Sequence, residues 1–162
     1  MRVVTRTRLA WAILALRLDE TYAAGERMDG TMLFAVGRFL ALVGAGALGA
    51  LTRHGVHSTA RRLAPAGWPL GTLAINVGGA FAIGVVLGWP GAAHASARAV
   101  LATGFLGGFT TFGTLTLETW TLGTRGRHLA AWAYALGSVV AGLVAVWAGI
   151  ATAAGIVALA AR

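Results

Sequence analysis

The sequence predicts an all-α membrane protein of four transmembrane helices, the third of them broken near its middle. Three observations lead there. Hydrophobic residues make up 57% of the chain and charged residues 11%, with a mean hydropathy of +0.75, a balance that argues against a soluble globule. Four apolar runs long enough to cross a bilayer follow one another, with arginines mainly before and between them. The third run, Ala97 to Leu122, contains the segment GFLGGFTTFGTLTLE from Gly104 to Glu118, built from residues a plain spanning helix does not need.

That segment sets the expectation for a site. Gly107 and Gly108 weaken the helix, and Thr110 and Thr111 follow with β-branched side chains and hydroxyls. Non-helical backbone at membrane depth is tolerated only where protein or a water-filled cavity surrounds it. A broken helix with usable carbonyls and hydroxyls is therefore expected here. The same residues would also serve close helix packing, with the hydroxyls bonded to their own backbone. Gly113, Thr114 and Thr116 prolong the polar character, and Glu118 closes it.

Composition narrows the chemistry. The chain has no cysteine, which excludes disulfides, thiolate metal sites and cysteine nucleophiles. A net charge of +8 would point to nucleic acid in a soluble protein. Here the arginines flank apolar runs, so no nucleic-acid partner is expected. All thirteen basic residues are Arg, which we attribute to a GC-rich coding bias. The acids Asp19, Glu20, Glu26 and Asp29 precede the first convincing membrane run, leaving Glu118 as the only acid from residue 30 onward. A lone carboxylate in a spanning segment is a functional candidate, although one near a helix end can simply reach water.

Residues 1–31 differ from the rest. Arg2, Arg6 and Arg8 precede the apolar piece LAWAILAL, which is too short to span. It has the charged and apolar parts of a signal peptide without a convincing A-x-A cleavage site. An amphipathic surface segment is one alternative, and a true start at Met28 or Met32 is another. We expect a dispensable, poorly ordered extension ahead of a four-helix transmembrane domain over residues 32–162.

The first membrane segment is expected from about Leu33 to Thr52, with Arg38 snorkelling near its start. Its second half is a ladder of small residues, Gly44 to Ala50, that invites close helix approach. Arg53 ends the ladder, and His54, His57, Arg61 and Arg62 are expected in a basic loop running to Pro65. The histidines are not spaced as metal ligands. The second segment opens at Trp68 and Pro69 and ends at Trp89 and Pro90, with Asn76 near its middle. An amide at that depth must face protein or water, as an interhelical hydrogen bond or as a donor on a polar path. The fourth segment, about Ala130 to Ala160, carries Tyr134 and Ser138 on one face at i and i+4. That pair either extends a polar path or makes local backbone bonds.

Four spans put both termini on one side. From Arg38 onward that side holds Arg38, Arg98 and Arg162, against Arg53, Arg61, Arg62, Arg125 and Arg127 on the other. Counting the five arginines of the extension reverses the balance. The positive-inside rule therefore gives no orientation, as befits a protein inserting both ways round.

At this point the motifs resemble a known family, the Fluc/CrcB fluoride channels, over about residues 34–160. The first-helix pattern G-x-x-G-A-x-x-R is similar to Gly46 through Arg53. The second-helix pattern G-T-L-x-x-N-x-x-G-S-F is matched by Gly71, Thr72, Leu73, Asn76, Gly79 and Phe81, with Ala80 in place of Ser. The third-helix pattern G-F-x-G-G-x-T-T-F-S-T-F-S-x-E is similar to Gly104 through Glu118. The departures are Leu115 for the second phenylalanine, Gly113 for a serine, and His54 for the tyrosine after the arginine.

The resemblance implies a passive fluoride-selective channel, not an enzyme, exporting the anion across the bacterial inner membrane. It implies an antiparallel, dual-topology homodimer with two pores, embedded in the lipid bilayer. Asn76, Phe112, Thr114 and Tyr134 would line the pore, with Ser138 nearby and Arg53 at the aqueous vestibule. A structural sodium ion at the dimer centre would be held by the backbone carbonyls of Gly107 and Thr110. Thr111 and Glu118 would support the polar track. Because the aromatic pair is incomplete at Leu115, one half of a heterodimeric channel is an alternative. A small four-helix multidrug transporter is another, but it needs a carboxylate deep in its first helix, and none is present here. A membrane-embedded hydrolase built on Ser138 lacks an activating histidine or acid in a neighbouring span. An assembly protein using its glycine ladders for packing alone would leave Asn76, the threonines and Tyr134 without a common purpose.

Overall fold

Helices account for nearly all of the chain in the computed structural model, which describes the backbone of residues 2–63, 68–90 and 95–162 and side chains from residue 30 onward. The chain divides into two units, Met1–Phe39 and Leu40–Arg162. The first holds the beginning of helix α1 (Arg2–Leu63), and the second holds every residue of the site described below. The expectation for an extension over residues 1–31 falls almost wholly on residues whose side chains lie outside the described part.

Among the described residues four helical stretches are long and apolar enough to cross a membrane: Gly30–Leu63, Leu70–Gly88, Ala95–Thr124 and His128–Ala160. All four spans expected from the sequence are present. One boundary differs. The basic loop expected from Arg53 is helix as far as Leu63, eleven residues past Thr52. Only Gly55 weakens this stretch, and Arg61 and Arg62 in its last turn complement the helix dipole. Pro65 lies outside the described residues.

Helix α2 (Leu70–Gly88) starts directly after Pro69, and its end is capped when Arg98 Nη2 donates to the Leu87 carbonyl at 2.8 Å. It lies tightly along α6 (His128–Ala160). A Cβ placed on Gly84 would strike the Val146 carbonyl, and one on Gly149 would strike the Phe81 carbonyl. Small residues at these crossings let backbones meet where lipid supplies no hydrophobic drive.

The third span is the irregular one. It opens as α3 (Ala95–Ala99), widens into a π-helical stretch (Val100–Leu106), tightens into a single turn α4 (Gly107–Phe109), then breaks before α5 (Phe112–Thr124). The ladder of α1 faces its first half. A Cβ on Gly49 would collide with the Phe105 carbonyl, and one on Gly108 with the Gly46 carbonyl. The turn after α5 closes through Gly126, whose φ of 75° lies in the left-handed region glycine adopts freely. Arg127, beside it, lies over the Trp68 ring at 5.6 Å. Between α5 and α6 a small core gathers Leu115, Leu122, Ala131 and Tyr134, with Leu73 of α2 against it.

Candidate functional site

The break sits at Thr110 and Thr111, where the sequence placed the end of regular helix. Thr110 has φ −76° and ψ 158°, and Thr111 has φ −148° and ψ 122°, both extended. Such a break strands backbone groups that the helix would have paired, at about 1–3 kcal/mol for each left buried without a partner. Here several of them are provided for. The Thr110 amide and its Oγ1 both donate to the Leu106 carbonyl, at 2.9 and 3.0 Å. Thr111 caps α5, its Oγ1 accepting from the Thr114 amide at 3.3 Å and lying 3.1 Å from Thr114 Oγ1.

Asn76 does the rest. Its Oδ1 accepts from the Thr111 amide at 2.8 Å, and its Nδ2 donates to the Thr111 carbonyl at 2.9 Å. In a continuous helix that amide would donate to the carbonyl four residues back, on Gly107. By accepting it instead, Asn76 stands in for a missing turn of helix. Of the two expectations for this amide, the interhelical hydrogen bond is the one present, as a clasp on the broken backbone, with one Nδ2 hydrogen left over for a polar path. Arg53 reaches the same place from α1, its Nη1 donating to the Thr110 carbonyl at a long 3.4 Å.

One turn earlier on α2, Thr72 begins a second cluster. Fully buried, it donates from Oγ1 to Glu118 Oε1 at 2.9 Å. Tyr134, 8% exposed, donates from its hydroxyl to Glu118 Oε2 at 2.6 Å. Both oxygens of the only acid beyond residue 30 are therefore engaged by hydroxyl donors. Ser138 does not join them: its Oγ donates to the Tyr134 carbonyl at 2.6 Å, the local backbone bond that was the plainer of its two expectations. Thr72 was not singled out as a site residue. The available signal was its i, i+4 spacing with Asn76, which puts both on one face of α2.

Phe112 heads α5 and is 80% exposed, turned away from its own chain's core. Leu115 is buried beside Tyr134 instead. Gly107 has open space around it: a Cβ there would come no nearer than 3.9 Å to the Ala102 carbonyl. A cavity of about 500 Å³ opens where α1, α2 and the break meet, lined among others by Arg53, His54, His57, Thr111, Gly113 and Thr114. It combines a guanidinium with threonine hydroxyls and carries no carboxylate on its wall, a lining suited to an anion. Among the described residues no cluster of three His, Asp or Glu side chains could hold a metal ion. Backbone carbonyls at the break are a separate matter.

Residues 39–150 match the family model described as "CrcB-like protein, Camphor Resistance (CrcB)". Among similar proteins is one named "Fluoride-specific ion channel FluC" from Hyphomonas neptunium, 42% identical over 127 residues, covering 76% of this chain and 94% of that one. Proteins of the same name from Paracoccus denitrificans and Methylobacterium nodulans are 47% and 48% identical, covering 69% and 67% of this chain and 90% and 89% of their own lengths.

Proposed function

This chain belongs to the CrcB-like family, and from that premise we propose that it is a passive, fluoride-selective channel of the bacterial inner membrane. It catalyses no reaction; it lets fluoride run down its electrochemical gradient. The observation that carries the reading is the break at Thr110 and Thr111, clasped by Asn76 and opening onto a cavity with Arg53 and Thr114 on its wall. Broken helices whose freed polar groups face a cavity are how membrane proteins build ion sites from backbone.

Fluoride holds its water tightly, so a pore must offer donors in exchange. On this reading Thr114 and the spare Nδ2 hydrogen of Asn76 supply two of them. The electropositive ring edge of Phe112 supplies a weaker one. Tyr134 lines the path and holds Glu118 in place. Glu118 repels an anion least when its charge is spread into the Thr72 and Tyr134 hydroxyls, and both of its oxygens are so engaged. Thr111 and Ser138 support the track through their backbone bonds, and Arg53 draws the anion into the vestibule.

The working unit on this reading is an antiparallel, dual-topology homodimer with two pores. The exposed Phe112 supports it, because a pore wall there needs a second copy to close it. The near-even division of arginines between the two sides supports insertion in both orientations. On this reading the carbonyls of Gly107 and Thr110 would hold a structural sodium ion at the dimer centre, the Thr110 carbonyl using one lone pair for it and the other for Arg53 Nη1 at a long 3.4 Å. Asn76 has taken the amide that would have donated to Gly107, and Thr110 lies in extended backbone. Bound there, sodium would supply fixed positive charge between two broken helices through hard oxygen ligands.

The test is ion efflux from liposomes carrying the purified protein, followed with a fluoride electrode, with chloride and protein-free vesicles alongside. Fast fluoride release with little chloride release is the expected result. Folded dimers that release no fluoride would sink the homomeric channel and turn attention to a partner subunit that restores the aromatic missing at Leu115.

A further inference from the structure

The extra turns of α1 beyond Thr52 give the vestibule an outer half. Arg53, His57 and Arg61 follow one another at i, i+4 and i+8, and His54, Ser58 and Arg62 do the same one position on. From Arg53 to Arg61 is a rise of roughly 12 Å along the helix. A second cavity, of about 360 Å³, is lined by His54, His57, Ser58, Arg61 and Arg62. It shares His54 and His57 with the cavity at the break, so the two adjoin. Arg61 and Arg62 are exposed. The only acid from residue 30 onward is Glu118, already engaged by Thr72 and Tyr134, so no carboxylate of residues 30–162 neutralises this surface.

We propose that the last turns of α1 form an outer anion-capture site, in which Arg61 and Arg62, with His54, His57 and Ser58, gather small hydrated anions and pass them inward to Arg53. The inference rests on the channel reading and deepens it. Capture at such a surface leaves the ion's water in place, so it raises the entry rate without choosing between fluoride and chloride. Selection falls to the narrower path beyond Thr111. A charged cleft raises the local concentration of its counter-ion and loses that power as salt screens it, with a Debye length of about 10 Å at 0.1 M.

The experiment is unitary fluoride current in planar bilayers of neutral lipid at low fluoride, for the wild-type protein and the Arg61→Gln/Arg62→Gln variant, across a series of impermeant-salt concentrations. The expected result is a current roughly three- to tenfold lower in the variant at low ionic strength. The difference closes at high ionic strength, and the fluoride-to-chloride ratio is the same throughout. The Arg61→Lys/Arg62→Lys variant should keep the wild-type current. Equal currents at low salt overturn the site. So does a deficit that salt does not change, which would mean a structural fault. A deficit seen only when anionic lipid is added also overturns it, because the arginines then serve a lipid headgroup. If the wild-type protein passes no fluoride under any condition, the channel reading fails and the site with it; a conducting wild type beside an equally conducting variant removes the site alone.

Discussion

Two polar clusters hang from the same face of α2, one helical turn apart, and they do opposite things. At Asn76 a side chain is spent on backbone: both amide atoms bind Thr111, and the result is a fixed break in a helix. At Thr72 a side chain is spent on another side chain: its hydroxyl and that of Tyr134 bind Glu118, and the result is an anchored carboxyl group. The first cluster needs a donor and an acceptor side by side in one rigid plane, which an amide provides without a change of protonation. The second needs only donors, from whatever residues can reach. We therefore expect the clasp to tolerate almost no substitution and the carboxylate cluster to degrade by steps.

The largest effect should come from Asn76→Leu. It strands the Thr111 amide and carbonyl together, an expected loss of about 2–4 kcal/mol, with fluoride flux abolished. Unfolding in detergent, read alongside liposome efflux, measures both. Asn76→Asp sharpens the point, because it keeps the acceptor, loses the donor and adds a negative charge at the cavity. It should fold better than the leucine variant and still conduct no fluoride. Tyr134→Phe removes the 2.6 Å bond to Glu118 and should cost about 1.5–3 kcal/mol, since one oxygen of a half-buried carboxylate loses its partner. Thr72→Val keeps the shape and loses one donor, for about 1–2 kcal/mol. A double-mutant cycle then tests the division itself. Thr72→Val and Tyr134→Phe should be non-additive because they share Glu118. A strongly coupled Asn76 and Tyr134 pair would break the comparison. Smallest of all, Ser138→Ala removes only a bond to its own helix backbone and should change stability by less than about 0.5 kcal/mol.

The same contrast explains what could be read in advance. The break was legible because its causes are local: Gly107 and Gly108, followed after Phe109 by Thr110 and Thr111, weaken a helix by their own propensities. The spans were legible because length and apolarity suffice to define them. The partners of Thr72 and Asn76 were not legible, since Glu118 and Thr111 lie 46 and 35 residues away and meet them only through helix packing. Leu115 shows the limit from the other side. As a departure from the family pattern it reads as a gap in a pore, yet it is buried against Tyr134 in the chain's own core. The end of α1 departs from expectation for a simpler reason: a run of arginine and histidine suggests a loop, yet arginine is a good helix former and α1 continues to Leu63.

The π-helical stretch from Val100 to Leu106 has a consequence for how this chain can change length. A π turn holds one residue more than the α turn it replaces. Removing a single residue there would let regular winding resume, and because a π turn and an α turn each complete one revolution, everything downstream would keep its facing. Thr111 would stay in register with Asn76, and Glu118 with Thr72 and Tyr134. The segment acts as the slack of the molecule, the place where a one-residue deletion can be absorbed with both polar clusters still on their partners, whereas the same deletion between Phe112 and Leu117 would turn Glu118 by about 100°.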